Sequence, residues 1–231
     1  MAQQQVRPIV VIGGILAAVA IVIISATYSG GGDSKGPADK ESTNPGRSGK
    51  PADPSSGDKA AEAAALLAKL EGLLKDDTPI PHDLKIAADR FIDLAEVPYK
   101  TRIGLALAAF DERSATKQVE IIFREVAKRP FETIAELFPL VPEGPMQDRV
   151  ADAIGQVVAI SPGDAPQAVA WLESMSASPR KEAVSIIAYR LEHAGDLATL
   201  KSLEASANLE DLKKSFGWWV AEVEKKKGVR Q

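Results

Sequence analysis

The chain holds few residues that could do chemistry. It has no cysteine, so disulfides, thiolate nucleophiles and thiolate ligands are all excluded. Its two histidines are His82, in "PIPHDLK", and His193, in "RLEHAGD". Glu192, His193 and Asp196 form the one cluster with the residue types of a metal or acid–base group. Their place at a helix boundary favours a simpler role: His193 complements the negative end of one helix and Asp196 opens the next. The spacings H-x-x-x-H and H-E-x-x-H, which hold zinc on one helix face, are missing. So are the phosphate loop, the nucleophile elbow and the EF-hand loop. "IGG" at 12–14 lies inside an apolar run and is no phosphate loop. Carboxylates are scattered along helix faces beside lysines, with no pair marked for glycoside hydrolysis. The terminal "EKKKGVR" could touch anionic lipid or nucleic acid. Lys225, Lys226 and Lys227 also suit the negative end of a last helix, and that reading is favoured. The residues therefore assign no catalytic, metal or cofactor-binding position, and a binding protein is expected rather than an enzyme.

The elements that position side chains fall into three zones. Residues 9–24, "IVVIGGILAAVAIVII", carry no charge, and "SATY" extends the run to residue 28. About 20 residues at roughly 1.5 Å each span a hydrocarbon core of about 30 Å. Residues 1–28 are therefore read as an uncleaved transmembrane anchor, with a cleaved signal peptide as the competing reading. A short N-terminal tail bearing Arg7 favours an N-inside orientation, which puts the following domain outside the cytoplasm. Gly13/Ala17 and Gly14/Ala18 are small-residue pairs that leave room for a homodimer. Residues 29–57 are rich in Gly, Pro and Ser, bury too little to fold, and read as a flexible linker with a reach of about 30 Å.

Residues 58–231 read as helix after helix. Alanine and leucine dominate, and aromatics make up 5% of the chain. The net charge of −4 argues against a general nucleic-acid binder, which would carry a basic face. Breakers such as "DDTPIPHD", Val97-Pro98, Pro130, "VPEGP" and "SPGD" separate about ten helices. Ser114, Ser178 before Pro179, and Asn208 with Asp211 are expected caps; Ala194-Gly195-Asp196 reads as a glycine stop running into a new cap. A period links every second helix. Val119, Ile122 and Val126 recur as Ala151, Ile154 and Val158, then Val184, Ile187 and Leu191, then Phe216, Trp219 and Val223, at steps of 32, 33 and 32 residues. Ala88, Phe91 and Ala95 form a looser earlier copy. The spacing i, i+3, i+7 is one helix face. A second apolar column runs Ile121, Ala153, Ile186, Trp218, so both adjacent tryptophans are expected to close the core of the last copy.

A helix pair of this length, repeated about five times, resembles the α-solenoid class. Its length is close to tetratricopeptide repeats and its loose sequence is closer to HEAT-like repeats. The tetratricopeptide signature is not present in order, and "AWLESM" around Trp171 is only a fragment of it. The resemblance implies an all-α fold: antiparallel helix pairs stacked as about five repeats of 31–34 residues, preceded by one transmembrane helix. It also implies a scaffold that binds a partner protein. A compact irregular helical bundle is the competing architecture. In the stack, a polar column Glu120, Asp152, Ser185, Gly217 lies beside Arg124, Gln156, Tyr189, Ala221. Glu120, Arg124, Asp152, Gln156, Ser185 and Tyr189 are therefore the expected partner-binding residues, with Tyr189 the leading anchor. The competing functional readings are an accessory subunit of a membrane complex and an enzyme with an unrecognised helical site.

Overall fold

The computed structural model describes residues 56–228. The expected anchor and nearly all of the expected linker lie outside the described residues. Among the described residues there are ten α-helices and no strand. They are α1 (Ser56–Lys75), α2 (His82–Ile92), α3 (Tyr99–Ala109), α4 (Glu112–Val126) and α5 (Phe131–Leu137). After them come α6 (Pro145–Val157), α7 (Ala165–Ser174), α8 (Ala177–Ala194), α9 (Leu197–Ser206) and α10 (Glu210–Gly228). The first helix starts two residues before the expected domain boundary, at Ser56. Among the described residues no helix is long and apolar enough to cross a membrane.

Local chemistry sets the helix ends. Asp111, not Ser114, caps α4: its carboxylate accepts the Ser114 N–H at 3.1 Å and the Ser114 hydroxyl at 2.9 Å. Ser114 is thus the partner of the cap. Gly144 stands at φ 107°, a conformation that L side chains avoid, immediately before Pro145 opens α6. Gly195 ends α8 in the left-handed region at φ 69°, and Asp196 then accepts the Thr199 N–H at 3.0 Å, as the sequence suggests. Ser178 is no cap, because α8 has already begun at Ala177; its hydroxyl donates to Asp148 at 3.0 Å. The start of α10 is capped from another helix. Glu173 of α7 accepts the backbone N–H groups of Asn208 and Leu209, at 2.7 and 3.0 Å, and the Asn208 amide at 3.2 Å. Burial pushes the Glu173 carboxyl up, but these donors outweigh it and hold it below its ordinary value.

Packing follows two rows. In one, α4 lies on α6, α6 on α8 and α8 on α10; in the other, α5 lies on α7 and α7 on α9. Upstream, α3 packs against α1, α2 and α4. The helices of the first row start at Glu112, Pro145, Ala177 and Glu210, which are 33, 32 and 33 residues apart. Side-chain bonds keep the same step. Gln118 reaches back to Asp89, Arg124 on to Gln156, and Arg190 back to the Val158 carbonyl, separations of 29, 32 and 32 residues.

The first apolar column is core. Val119, Ile122, Val126, Ala151, Ile154, Val158, Val184, Ile187, Phe216 and Val223 are buried. Leu191 and Trp219 are partly buried and pack against them. The looser upstream copy is off register: Ala88 and Ile92 are buried, while Ala95 is exposed because α2 ends at Ile92. The second column is not one core stripe. Ala153 is buried and Ile186 half-buried, but Ile121 is 49% exposed and Trp218 58% exposed. Neighbouring residues on a helix point about 100° apart, so Ile121 and Trp218 turn away when Ile122 and Trp219 take the core side. Ala153 and Ile186 are covered because α6 and α8 sit close. A Cβ added to Gly155 would lie 3.3 Å from both the Ala183 carbonyl oxygen and the Ile186 side chain. Arg190 fastens the same seam, donating to the Gly155 and Val158 carbonyls at 2.7 and 2.9 Å.

Arg102 of α3 organises the upstream part. It is buried, 3% exposed, and donates twice to Glu125 of α4, at 2.8 and 3.2 Å. Its Nε donates to the Ile92 carbonyl at the end of α2, and the guanidinium lies 5.4 Å from the Tyr99 ring centroid. A planar fork with five donors can join three helices in this way; an ammonium cannot. The Arg102 hydrogen bonds hold the Glu125 carboxyl below its ordinary value.

Three predictions test these joints. Breaking a buried ion pair from one side costs roughly 3–5 kcal/mol. The Glu125 side chain is 45% exposed, and solvent screens the pair, so Arg102→Ala should lower unfolding free energy by about 2 kcal/mol in urea titrations. A lowered carboxyl pKa means the unfolded chain binds more protons near pH 4. The Glu125 contribution is then complete above the unfolded value of about 4.3 and is lost as pH falls through the folded value. Glu125→Gln should flatten that acid limb, and an unchanged limb would count against the pairing. At the α6–α8 seam, Gly155→Val must push against a backbone carbonyl and should destabilise by about 1–3 kcal/mol.

Candidate functional site

The expected polar ridge exists as a row of side chains, but its first half is tied up inside the protein. Glu120 of α4 accepts from Arg149 of α6 at 2.8 Å. Arg124 donates to Gln156 at 3.0 Å, and the Gln156 amide donates to Asp152 at 2.7 Å. These residues sew α4 to α6, and a partner using them would compete with bonds already made. Ser185 and Tyr189 of α8 are exposed, Tyr189 by 50%. The Tyr189 ring lies 3.9 Å from the His193 ring.

His193 is spoken for locally. Its Nδ1 is 3.0 Å from the Tyr189 carbonyl oxygen and 2.7 Å from Glu192 Oε2. Glu192 also accepts from Lys226 of α10, and that hydrogen bond leads the causes that lower its carboxyl pKa. Asp196 faces Thr199. Among the described residues no three His, Asp or Glu side chains converge in a way that could hold a metal ion.

Two surface clefts were not read from the ridge. The first, about 440 Å³, lies where α5 and α7 meet. Its floor includes Phe131, Phe138, Trp171 and Met175, and Glu132 and Glu143 add acid to its wall. The floor rings are locked at near-perpendicular or tilted angles: Phe138 to Trp171 at 6.2 Å and 87°, Phe131 to Trp171 at 6.1 Å and 45°. The Trp171 Nε1–H is buried with no acceptor, a state that natural cores rarely keep. The second cleft, about 550 Å³, separates α8 from α10. Trp218 and Trp219 line it, 4.8 Å apart and edge to face, with Arg180, Lys181 and Lys214. Ser185 lies in its wall, so it is the one ridge residue that the clefts recruit. The signal for the first cleft was present in "PFETIAELFP" and "AWLESM", which carry Phe131, Phe138, Trp171 and Met175. Nothing in the spacing says that two second-row helices bring them together.

Gly217, in the polar column of α10, lies against the tip of a flexible side chain. A Cβ there would meet the Glu204 carboxylate of α9 at 2.8 Å. Comparison with protein-family models, curated proteins and solved structures finds no match for the chain.

The tryptophans separate floor from surface. Trp171→Ala should cost about 3–5 kcal/mol, as for other buried aromatics. Trp218→Ala should stay within about 1 kcal/mol of the parent. Parallel chemical-denaturation curves check both; similar losses would mean that Trp218 is held in the core.

Proposed function

We propose that the chain is a membrane-tethered helical-repeat scaffold of α-solenoid type that binds a partner protein. The even spacing of helix starts and the side-chain bonds that step one helix pair at a time support the repeat part of the reading. Stacked pairs of this kind present long surfaces on which several side chains can be displayed in register. The apolar run at 9–28 supports the tether, with the helical part on the far side of the membrane from the N-terminus.

The observation that carries the binding role is the α5–α7 cleft. Its aromatic floor suits an apolar anchor side chain, and Glu132 and Glu143 favour a basic neighbour beside that anchor. Tyr189, exposed on the other row, is a second contact point.

The test is site-specific photo-crosslinking of the full chain in native membranes, with benzoylphenylalanine at Ala135 in the cleft, at Tyr189, or at exposed Lys85 of α2 as control. One discrete adduct from Ala135, reduced at least fivefold by Glu132→Lys with Glu143→Lys, is expected. Equal labelling at Lys85, or none at Ala135 and Tyr189, would overturn the reading. Swapping residues 1–28 for an unrelated anchor separates the scaffold from an accessory subunit recognised through its membrane segment: the scaffold keeps its adduct.

A further inference from the structure

The α8–α10 cleft differs in chemistry from the one between α5 and α7. A tryptophan 58% exposed is a large apolar surface left to water, and on this helix its neighbours are polar. Leu212, Phe216, Val220 and Val223 of α10 face the core, while Lys213, Lys214, Ser215, Ala221 and Glu224 face solvent. The outer face of α10 is thus a polar cap interrupted by one indole. The cleft that this indole lines is basic. Arg180 is neutralised by Asp211 at 3.0 Å. Lys214 has only Glu210 at 3.4 Å, one turn away, and both side chains are about three-quarters exposed, so that pair is weak and easily exchanged. Among the described residues Lys181 pairs with no carboxylate.

We propose that the α8–α10 cleft binds an acidic segment of a partner protein, with an apolar side chain of that segment against Trp218 and its carboxylates on Lys181 and Lys214. The proposal rests on the scaffold reading and adds a second site to it. Charge and shape select the occupant. Two available cations flanking one aromatic face match a short stretch that mixes acid and apolar residues. Nucleic acid draws its affinity from neutralising many phosphates, roughly 6–10 in a typical site, and the cleft offers one unpaired lysine, Lys181, and one weakly paired lysine, Lys214. A flat lipid surface would not enter a groove between two helices. At the neighbouring α6–α8 seam the helices are in close contact, since a Cβ on Gly155 would lie 3.3 Å from the Ala183 carbonyl oxygen.

The test uses the full chain in detergent micelles at near-physiological salt, with fluorescence polarisation of labelled twelve-residue peptides. The probes are an alternating Glu/Phe and a Glu/Leu peptide, their Lys/Phe and Lys/Leu counterparts, polyglutamate, and an oligothymidine of equal length. Binding of the Glu/Phe or Glu/Leu peptide is expected to weaken at least tenfold in Lys181→Glu with Lys214→Glu, and at least fivefold in Trp218→Ala. Polyglutamate should bind at least fivefold more weakly than the mixed peptides. Circular dichroism of each variant checks that the helices persist; should one variant misfold, the other decides. Failure of the acidic–apolar peptides to bind the parent chain would overturn the proposal. So would binding indifferent to these variants, or equal binding of the lysine peptides or oligothymidine. The Ala135 crosslink is read independently, so loss of this site with that adduct intact removes the inference and leaves the scaffold standing.

Discussion

Helices of the first row can bury their apolar faces only if the next helix of that row comes close, and between α6 and α8 a glycine permits that approach. With a hydrogen at Gly155, the Ala183 carbonyl and the Ile186 side chain come to within ordinary contact of α6. Ala153 and Ile186 are shielded as a result, and Arg190 is near enough to satisfy two carbonyls at the end of α6. Where the seam is tight, polar groups are used to end helices and to sew them together. Where it opens, between α8 and α10, the equivalent surface is lined by Trp218 and lysines.

Much of this was legible from residues alone. The column Val119–Ile122–Val126 and its copies is core because three positions at i, i+3 and i+7 can only share one face, and a face so apolar must be covered. Gly195 and Asp196 were readable for the same local reason: a left-handed stop and a carboxylate cap need no tertiary help. The second column failed because position i+2 is buried only if a neighbouring helix arrives there, which Ile121 and Trp218 do not share with Ala153. The cap at Asn208 failed similarly, since Glu173 comes from another helix, and Ser178 failed because α8 begins one residue earlier, at Ala177.

The candidate site was legible only in part. The ridge residues do line up, yet Glu120, Arg124, Asp152 and Gln156 spend their polar groups on one another and on Arg149. A periodic polar column on stacked helices has two uses, recognition and stitching, and sequence spacing is identical for both. The cleft between α5 and α7 is built from residues 131 to 176, gathered by second-row packing, and had no periodic signature to find.

The step of about 32 residues between joined side chains has a consequence for how the chain comes to be folded. Lys59 to Glu96 spans 37 residues and Leu209 to Glu173 spans 36; the other long side-chain links lie between 10 and 35. Closing loops of that length carries nearly the same entropic cost wherever it occurs, because the cost grows only with the logarithm of length. Each helix pair can therefore be completed as soon as the following pair leaves the ribosome, without waiting for the C-terminus. Glu173 would hold its place until Asn208 emerges, and α10, the last of the described helices, closes on partners that are already in position.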